Sequence, residues 1–415
     1  MDKSKFGFII NKNLLKQFED LTSYFPHEEQ PIVVAASKDR VYVSTKNVGR
    51  SYSVYSLDST KLEKIFGGFA SKGFGFVMAS NDLLFTSGYF SDELWRSEDH
   101  GSSWNLSMKL PSRAPRTASI FKNSLTNFNG FLVAGVYSYQ PTPLPRIYVS
   151  EDRGLTWSLL YDANQDFPHA NHCHCCNYDP YSERLFCSFG DHSRPDLLFA
   201  LKHGKIAEKR LLFEYGGLGW LFSKKYVFFA PDGRPRGFWV AIDRETGDHI
   251  YIEVGVTTNI LWASLYDPIK GYYYVGSESD KNRFGGIFVS KDLLNWYPIL
   301  LTPPSPQPYR GAYSMALNGG FVYATLSADV EGERRFFLVR FKAVEHIDGE
   351  VEPISTIHAY GIGELKNLIK NDFSIFYSNF KGLKIPLTNM GDNYFRSLLK
   401  YIAIKKSYYV SLFRT

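Results

Sequence analysis

Short runs rich in tyrosine, phenylalanine and valine predict strands, and their regular recurrence along the chain predicts an all-β propeller. The 415 residues include 28 Tyr and 33 Phe, and aromatic and β-branched residues favour strands. Seven such runs begin units that recur about every 40 to 55 residues, which is the period of four-stranded propeller blades. The sequence therefore predicts a seven-bladed β-propeller with a mixed C-terminal extension, and six blades are the alternative.

The units can be placed in order along the chain. Residues 1–31 form an N-terminal lead-in with a short helix predicted near Leu14–Leu21. The propeller is predicted over residues 32–346, and its seven first strands lie near 32–36, 75–79, 119–125, 172–178, 219–222, 260–266 and 312–317. Residues 347–415 form a basic, aromatic extension whose last predicted strand, Ser407–Phe413, is a candidate for closing the ring, because a closed ring leaves no open sheet edge.

Two turns of the same composition support the repeat. Tyr178-Asp179-Pro180 and Tyr266-Asp267-Pro268 each follow an apolar run and precede another one. Asp-Pro sequences are typical turn signals. The two turns are two unit lengths apart, so we predict that both join the first and second strands of their blades, in blades 4 and 6.

A second repeat is more specific. The stretches 97–104 (SEDHGSSW) and 150–157 (SEDRGLTW) both read S-x-D-x-G-x-x-W, and 290–296 (SKDLLNW) is a shorter copy without the glycine. This motif resembles the Asp-box, or BNR repeat, of sialidase-like propellers. The resemblance implies a structural turn between third and fourth strands: Ser and Asp accept hydrogen bonds from backbone amides, Gly permits a positive φ, and Trp packs on the blade.

The resemblance extends over about residues 170–300. His172-x-His174, Tyr178-Asp179-Pro180-Tyr181 and Gly190-Asp191 are similar to the pattern of uncharacterised Asp-box proteins labelled as glycosyl hydrolases. This resemblance implies a carbohydrate-active propeller, although a shared fold does not determine function.

Histidine and cysteine are concentrated in one predicted hairpin, Phe167–Ser193. It contains four of the ten histidines and all four cysteines. Period-two alternation places His172, His174 and Cys176 on one face, and we expect Cys175 opposite Cys187, with the thiols reduced and buried. No cofactor is certain. A divalent metal is the candidate cofactor, with these possible ligands: His169, His172, His174 and His192.

Inner strands of a propeller line its central channel, so their first residues should meet at one opening. The residue types there suit an acidic glycan: aromatic rings for sugar faces, Arg for a carboxylate and carboxyls for hydroxyls. The predicted catalytic residues are His172, His174, Asp191 and Tyr313. The predicted substrate-binding residues are Arg116, Trp220, Asp232, Arg234, Glu278 and Arg310.

Three functions fit these residues. A glycoside hydrolase needs two carboxyl groups, whereas a polysaccharide lyase needs a neutralised uronate and a His or Tyr base, which suits the histidine-rich hairpin better. A sialidase needs an arginine triad, but its early Arg-Ile-Pro motif is missing from the sequence. The alternative is a non-catalytic glycan- or protein-binding propeller, as a surface, virion or assembly component, so enzymatic activity stays open.

The net charge of +5 is unevenly distributed. From Gly361 onward the chain has nine basic and three acidic residues, so the extension could bind an acidic partner. The rest of the chain is nearly neutral and offers no continuous basic stripe for nucleic acid. No apolar run reaches the roughly 20 residues that cross a bilayer, and the first residues lack a secretion signal. We therefore expect no membrane span and a location that is cytoplasmic, or exported without a recognisable signal.

Overall fold

The computed structural model describes residues 2–3, 8–37, 39–58, 61–80, 82–111, 117–138, 144–168, 170–191, 195–213, 216–232, 238–254, 257–258, 260–307, 310–347 and 353–359. This part of the chain is built from β-strands, with only two 3-10 turns, Thr22–Tyr24 and Ala163–Gln165. The helix predicted near Leu14–Leu21 is wrong, because a turn at residues 12–14 is followed by irregular backbone and a short strand at Glu19–Asp20, with Leu14 and Leu15 buried. The strand predicted at Ser407–Phe413 lies outside the described residues.

Three short strands precede the first blade: β1 (Asp2–Lys3), β2 (Ile9–Ile10) and β3 (Glu19–Asp20). Blades 1 to 3 consist of β4 (Glu29–Ala36), β5 (Val41–Asn47), β6 (Ser51–Leu57), β7 (Leu62–Phe69), β8 (Gly75–Ser80), β9 (Leu83–Gly88), β10 (Glu93–Ser97), β11 (Asn105–Lys109), β12 (Ala118–Phe128), β13 (Phe131–Ser138), β14 (Arg146–Ser150) and β15 (Ser158–Asp162).

Blades 4 to 6 consist of β16 (Ala170–Asp179), β17 (Arg184–Asp191), β18 (Asp196–Lys202), β19 (Lys205–Phe213), β20 (Gly217–Phe222), β21 (Tyr226–Pro231), β22 (Phe238–Asp243), β23 (His249–Val254), β24 (Leu261–Asp267), β25 (Tyr272–Ser279), β26 (Gly285–Ser290) and β27 (Tyr297–Thr302). Blade 7 contains β28 (Arg310–Asn318), β29 (Phe321–Val330) and β30 (Glu333–Lys342), and one strand follows it, β31 (Ser355–Ala359).

The described strands form a β-propeller, as predicted. Each blade is an antiparallel meander, and blades 6 and 7 are also joined to each other because Glu278 and Ser279 pair with Gly311 and Arg310. The first strand of every blade contacts the first strands of the two neighbouring blades, and β28 of blade 7 contacts β4 of blade 1. The seven first strands therefore surround one central channel, and all of them begin at the same opening, which we call the mouth.

The ring is closed by the lead-in. Strand β3 pairs with β30, with Glu19 opposite Arg340 and Asp20 opposite Val339, so it supplies the fourth strand of blade 7. The side chains of Glu19 and Arg340 form an ion pair across this joint. This N-terminal strand places residues 19–20 inside the propeller, whereas the predicted closure by the C-terminal extension concerns residues outside the described part of the chain.

Additional strands cover two outer edges. Strand β2 pairs with β27 of blade 6 and carries β1 on its other side, and β31 pairs with β23 of blade 5. Edge coverage of this kind removes unpaired backbone groups that would otherwise pair with other chains.

The S-x-D-x-G-x-x-W turns have the predicted position and geometry. They join the third and fourth strands of blades 2 and 3. In blade 3, Ser150 Oγ accepts from the Gly154 amide at 2.7 Å, and Asp152 Oδ1 accepts from the Thr156 amide at 2.8 Å. Trp157 donates to Ser107 Oγ of blade 2 at 2.9 Å, so the turn also packs against the preceding blade.

Both Tyr-Asp-Pro turns join first and second strands, as predicted, at the face opposite the mouth. The buried Asp179 carboxylate accepts two bonds from Arg244 of blade 5, at 2.8 and 2.9 Å. This two-bond geometry is the strong form of an arginine–carboxylate pair, and it ties blade 4 to blade 5.

Candidate functional site

β-Bulges direct side chains into the channel. Six of the seven described inner strands show a shift of register near the mouth, and only β8 of blade 2 pairs regularly. A bulge inserts an unpaired residue and turns its side chain away from the regular alternation. The residues at these shifts include Phe121, Lys122, His174, Trp262 and Tyr313.

The two histidines of blade 4 are bonded to each other. His172 Nδ1 lies 3.0 Å from the Ser138 carbonyl oxygen, and His172 Nε2 lies 2.7 Å from His174 Nε2. The carbonyl can only accept, so the Nδ1 of His172 carries a proton, and in a neutral His172 ring Nε2 then accepts from His174. His174 Nδ1 faces Asp232 Oδ2 of blade 5 at 3.5 Å.

An aromatic sector adjoins the histidine pair. The Tyr137 ring stacks on Phe121 with centroids 3.9 Å apart and lies 4.0 Å from the His172 ring. The row continues into blade 2, where Phe121 contacts Phe76 at 4.4 Å, and Phe74 contacts Tyr89 at 4.4 Å. These rings give one side of the mouth an apolar wall.

A buried carboxyl occupies the opposite side. Glu278 of blade 6 is 6 % exposed and accepts a hydrogen bond of 2.9 Å from the Trp262 indole nitrogen. Burial raises the pKa of Glu278 to about 7, and the neighbouring Asp232 carboxylate also raises it. Glu278 therefore keeps its proton to a higher pH than an ordinary surface glutamate does.

Blade 7 contributes two arginines and a tyrosine. The Arg334 guanidinium lies over the rings of Tyr313 and Phe336, at 5.1 and 4.5 Å, and it also bonds the Tyr313 hydroxyl. Arg310 Nε donates to Asp329 Oδ1 at 2.6 Å. Burial, followed by the charge of Arg334, lowers the pKa of Lys46 in blade 1, so the electrostatic effect of Arg334 reaches the next blade.

These side chains surround the opening of the channel, because every blade supplies at least one of them. We call this set the mouth ring: Lys46, Phe74, Tyr89, Phe121, Tyr137, His172, His174, Asp232, Trp262, Glu278, Tyr313 and Arg334. Its chemistry changes around the circuit from cationic, through aromatic and imidazole, to acidic and back to cationic.

The bulge of β12 provides a floor beneath the ring. Lys122 Nζ crosses the channel and bonds the Val34 carbonyl at 2.7 Å and Ser314 Oγ at 2.8 Å. Asn123 donates to the Trp262 carbonyl at 3.0 Å, and Ser124 donates to the His174 carbonyl at 3.1 Å. Blade 3 thus contacts blades 1, 7, 6 and 4 across the channel, so the mouth is a bowl rather than an open tube.

The cysteines lie behind the histidines, in the core. Cys176 pairs with Cys187, with sulfurs 3.0 Å apart, and Cys173 lies 3.5 Å from Cys176. The expected pairing of Cys175 with Cys187 is wrong by one residue, because the bulge at His174 shifts the register. Burial raises the pKa of all four thiols, so they are inert packing groups at neutral pH.

The predicted site residues divide into three groups. The mouth ring includes His172, His174, Asp232, Glu278 and Tyr313, and Arg310 lies beside it. Trp220 is 3 % exposed and packs on Phe229 in the core, with its nitrogen bonded to Ser188 and Gly217, so it does not line the mouth. The side chain of Asp191 and the whole of Arg116, Arg234, His169 and His192 lie outside the described residues.

The predicted metal finds limited support in the described residues. Both ring nitrogens of His172 already contact protein groups, so a metal would have to displace Ser138 or His174. Among the described residues, no three His, Cys, Asp or Glu side chains are arranged to hold an ion. Because His169 and His192 are not described, a divalent metal stays a prediction.

Sequence reasoning missed Lys122, Trp262 and Arg334, and it also missed five other members of the mouth ring: Lys46, Phe74, Tyr89, Phe121 and Tyr137. Lys122 had one available signal, since Lys122-Asn123-Ser124 interrupts an otherwise apolar first strand. Trp262 and Arg334 had none, because a bulge orients the first and a packing contact with Tyr313 orients the second.

Within the described residues, no helix has the length and apolarity needed to cross a membrane. No family model and no curated protein matches the sequence.

Solved structures share the fold. YCF48 from Cyanidioschyzon merolae superposes with a TM-score of 0.51 at 12% identity, over 78% of this chain and 98% of that chain. A chain in the crystal structure of the Mitotic Checkpoint Complex superposes with a TM-score of 0.50 at 10% identity, over 81% of this chain and 96% of that chain. These identities show a propeller fold and nothing about activity. The resemblance to Asp-box propellers stays a prediction.

Proposed function

We propose that this chain is a non-catalytic binding propeller whose mouth ring holds a segment of a partner protein. The observation that carries the proposal is the mouth ring itself: aromatic, cationic and acidic groups from seven blades surround a bowl with a closed floor. Interfaces that bind proteins combine aromatic anchors with arginine at their centre, and Tyr137, Trp262 and Arg334 provide such a set.

The bonds within the ring favour binding over turnover. Burial raises the pKa of Tyr313, which opposes its predicted role as a base. His172 has both nitrogens engaged, one of them by a backbone carbonyl. His172 is itself only 1 % exposed, so it holds the more exposed side chains around it in place, and a pre-organised surface lowers the cost of binding.

One structure with the same fold is consistent with a protein partner, because the chain that superposes on this one was solved within the Mitotic Checkpoint Complex. Propellers commonly support unrelated functions, so this agreement adds only to the argument from the mouth ring.

One observation favours a second candidate, the hydrolysis of a glycosidic bond. Glu278, with its pKa raised to about 7, has the protonation that a general acid needs, and Asp232 is the more exposed of the two carboxyls. Glycoside hydrolases use two carboxyls that lie in different environments. In this case the ligand would be an acidic glycan, with Arg334 and Arg310 near its carboxylate.

Photo-crosslinking tests the proposal. A diazirine lysine analogue replaces Lys72, which is exposed at the mouth beside Tyr89, or Lys270, which lies on the Asp-Pro turn of the opposite face. We expect a partner protein to crosslink from position 72 and not from position 270. Once purified, that partner should bind the wild-type propeller at least tenfold more tightly than it binds the Tyr137→Ala variant. Capture only from position 270, or equal affinity for Tyr137→Ala, would overturn the proposal.

Activity assays decide between the two candidates. The purified protein is incubated with sialylated and uronate-containing glycans from pH 4 to 9, alongside Glu278→Gln. Release of product by the wild type and its loss in Glu278→Gln would establish the hydrolase instead.

A further inference from the structure

The seam between blades 7 and 1 brings together three basic side chains, of which one forms an ion pair within the described part of the chain. Lys46, Arg310 and Arg334 are all associated with this part of the mouth, and only Arg310 forms an ion pair, with Asp329. Neither Lys46 nor Arg334 forms an ion pair within the described part of the chain. Two carboxyls, Glu278 and Asp329, are near enough to affect Arg334 electrostatically, but Asp329 is paired with Arg310 and burial raises the pKa of Glu278.

Arg334 is held in position while much of its hydrogen-bonding capacity stays unused. Stacking on Tyr313 and Phe336 fixes its plane, and the Tyr313 hydroxyl takes one donor. Its Nε is buried and has no hydrogen-bond partner among the described residues. A guanidinium has five N–H donors in a planar fork that matches a carboxylate, so a bound carboxylate would satisfy the donors that the protein leaves unused.

The surroundings of this cationic seam specify more than charge. On its blade 1 side the backbone of Lys46 pairs with Phe74, the first ring of the aromatic sector. We therefore expect an apolar group that adjoins a carboxylate bound at Lys46 to meet Phe74, which contacts Tyr89 at 4.4 Å. The neighbour Glu333 lies on the other face of β30, because side chains alternate along a strand, and does not occupy the seam.

We infer that Lys46 and Arg334 form a carboxylate-binding site, and that the partner segment inserts an acidic side chain or terminal carboxylate next to an aromatic residue. This inference rests on the proposed function for its partner, but the site itself can be tested separately.

The test uses N-acetyl-L-phenylalanine, which has both groups, and its primary amide, which lacks the carboxylate. Binding to the full chain is followed by calorimetry and by fluorescence, with inorganic phosphate as a competitor. We expect the acid to bind at least tenfold more tightly than the amide, Arg334→Gln and Lys46→Gln to abolish that preference, and 10 mM phosphate to leave it unchanged.

Arg335→Gln is the matched control, because Arg335 is exposed on the same strand and faces away from Arg334. Thermal unfolding checks that each variant folds. Equal binding of acid and amide, an equal loss in Arg335→Gln, or displacement of the acid by phosphate would overturn the inference. A partner that crosslinks at position 72 and binds Arg334→Gln normally would refute the carboxylate site and leave the proposed function standing. Selective binding of the acid without any crosslinked partner would support the carboxylate site and count against the proposed function.

Discussion

The side-chain nitrogen of Lys122 lies 2.8 Å from the Ser314 hydroxyl, and this bond crosses the channel from blade 3 to blade 7. Ser314 Oγ in turn donates to the Val34 carbonyl of blade 1 at 2.9 Å and accepts from the Val34 amide at 3.1 Å. Three inner strands thus share one polar cluster below the mouth ring, and a change at Lys122 should be felt in all three.

Lys122→Met tests this cluster through pH. Burial lowers the pKa of Lys122 to about 7, whereas an unfolded lysine keeps its proton to about pH 10.4. Between these values the unfolded chain binds the extra proton, so the free energy of unfolding rises with pH, by at most about 1.4 kcal/mol per pH unit. Relative to Lys122→Met, the wild type should therefore gain stability from pH 7 to 10 in urea unfolding. A difference that stays constant over this range would contradict the lowered pKa.

Glu278→Gln should show the opposite trend. The folded pKa of Glu278 is about 7 and its ordinary value is 4.5, so the folded state holds a proton that the unfolded chain has released. Wild-type stability relative to Glu278→Gln should therefore fall by about 2 to 3 kcal/mol between pH 4.5 and 8. Glu63→Gln, at an exposed ion pair, serves as the control and should show no such trend.

Asp179→Asn should be severely destabilising. The change leaves the Arg244 guanidinium buried without its carboxylate, and breaking one half of a buried pair costs about 3 to 5 kcal/mol. Arg153→Met is the comparison, because its ion pair with Asp82 is exposed and exposed ion pairs contribute little to stability. Similar losses of unfolding free energy in the two variants would show that the Asp179–Arg244 pair does not join blades 4 and 5.

Gly154→Ala tests whether the S-x-D-x-G-x-x-W turn spaces the blades. Gly154 and Gly130 both have positive φ, +84 and +88, but a Cβ at Gly154 would lie 2.9 Å from the Phe85 ring of blade 2, whereas one at Gly130 meets nothing within 4 Å. Positive φ alone costs alanine about 1 to 2 kcal/mol, and the crowding adds about 1 to 3 kcal/mol. Calorimetric unfolding should therefore show that Gly154→Ala is less stable than the control variant, Gly130→Ala. Equal losses of unfolding free energy in the two variants would exclude packing on Phe85.

The sequence predicts the strands and turns far better than it predicts the mouth. Each of the seven first strands overlaps a predicted run, and both kinds of repeated turn lie where expected, because strand period and turn chemistry are local properties. The side of the strand on which each side chain lies, towards the channel or towards the core, could not be predicted in the same way. Period-two reasoning places His172, His174 and Cys176 together, but the bulge at His174 sends Cys176 to the core with Cys173.

Long-range pairing was equally inaccessible. Nothing in Glu19–Asp20 indicates a strand of the last blade, because two residues carry no periodicity and their partner Arg340 is distant in sequence. Arg334 had no signal for the same reason: its role depends on stacking against Tyr313, which only the folded blade brings near.

The pairing of Glu19 with Arg340 also constrains the order in which the propeller can assemble during translation. Glu19 leaves the ribosome 321 residues ahead of its partner, so blades 1 to 6 can form as they emerge while this short segment waits. The ring can close through β3 and β30 only after blade 7 has been translated. Until then blade 1 lacks its neighbour on that side.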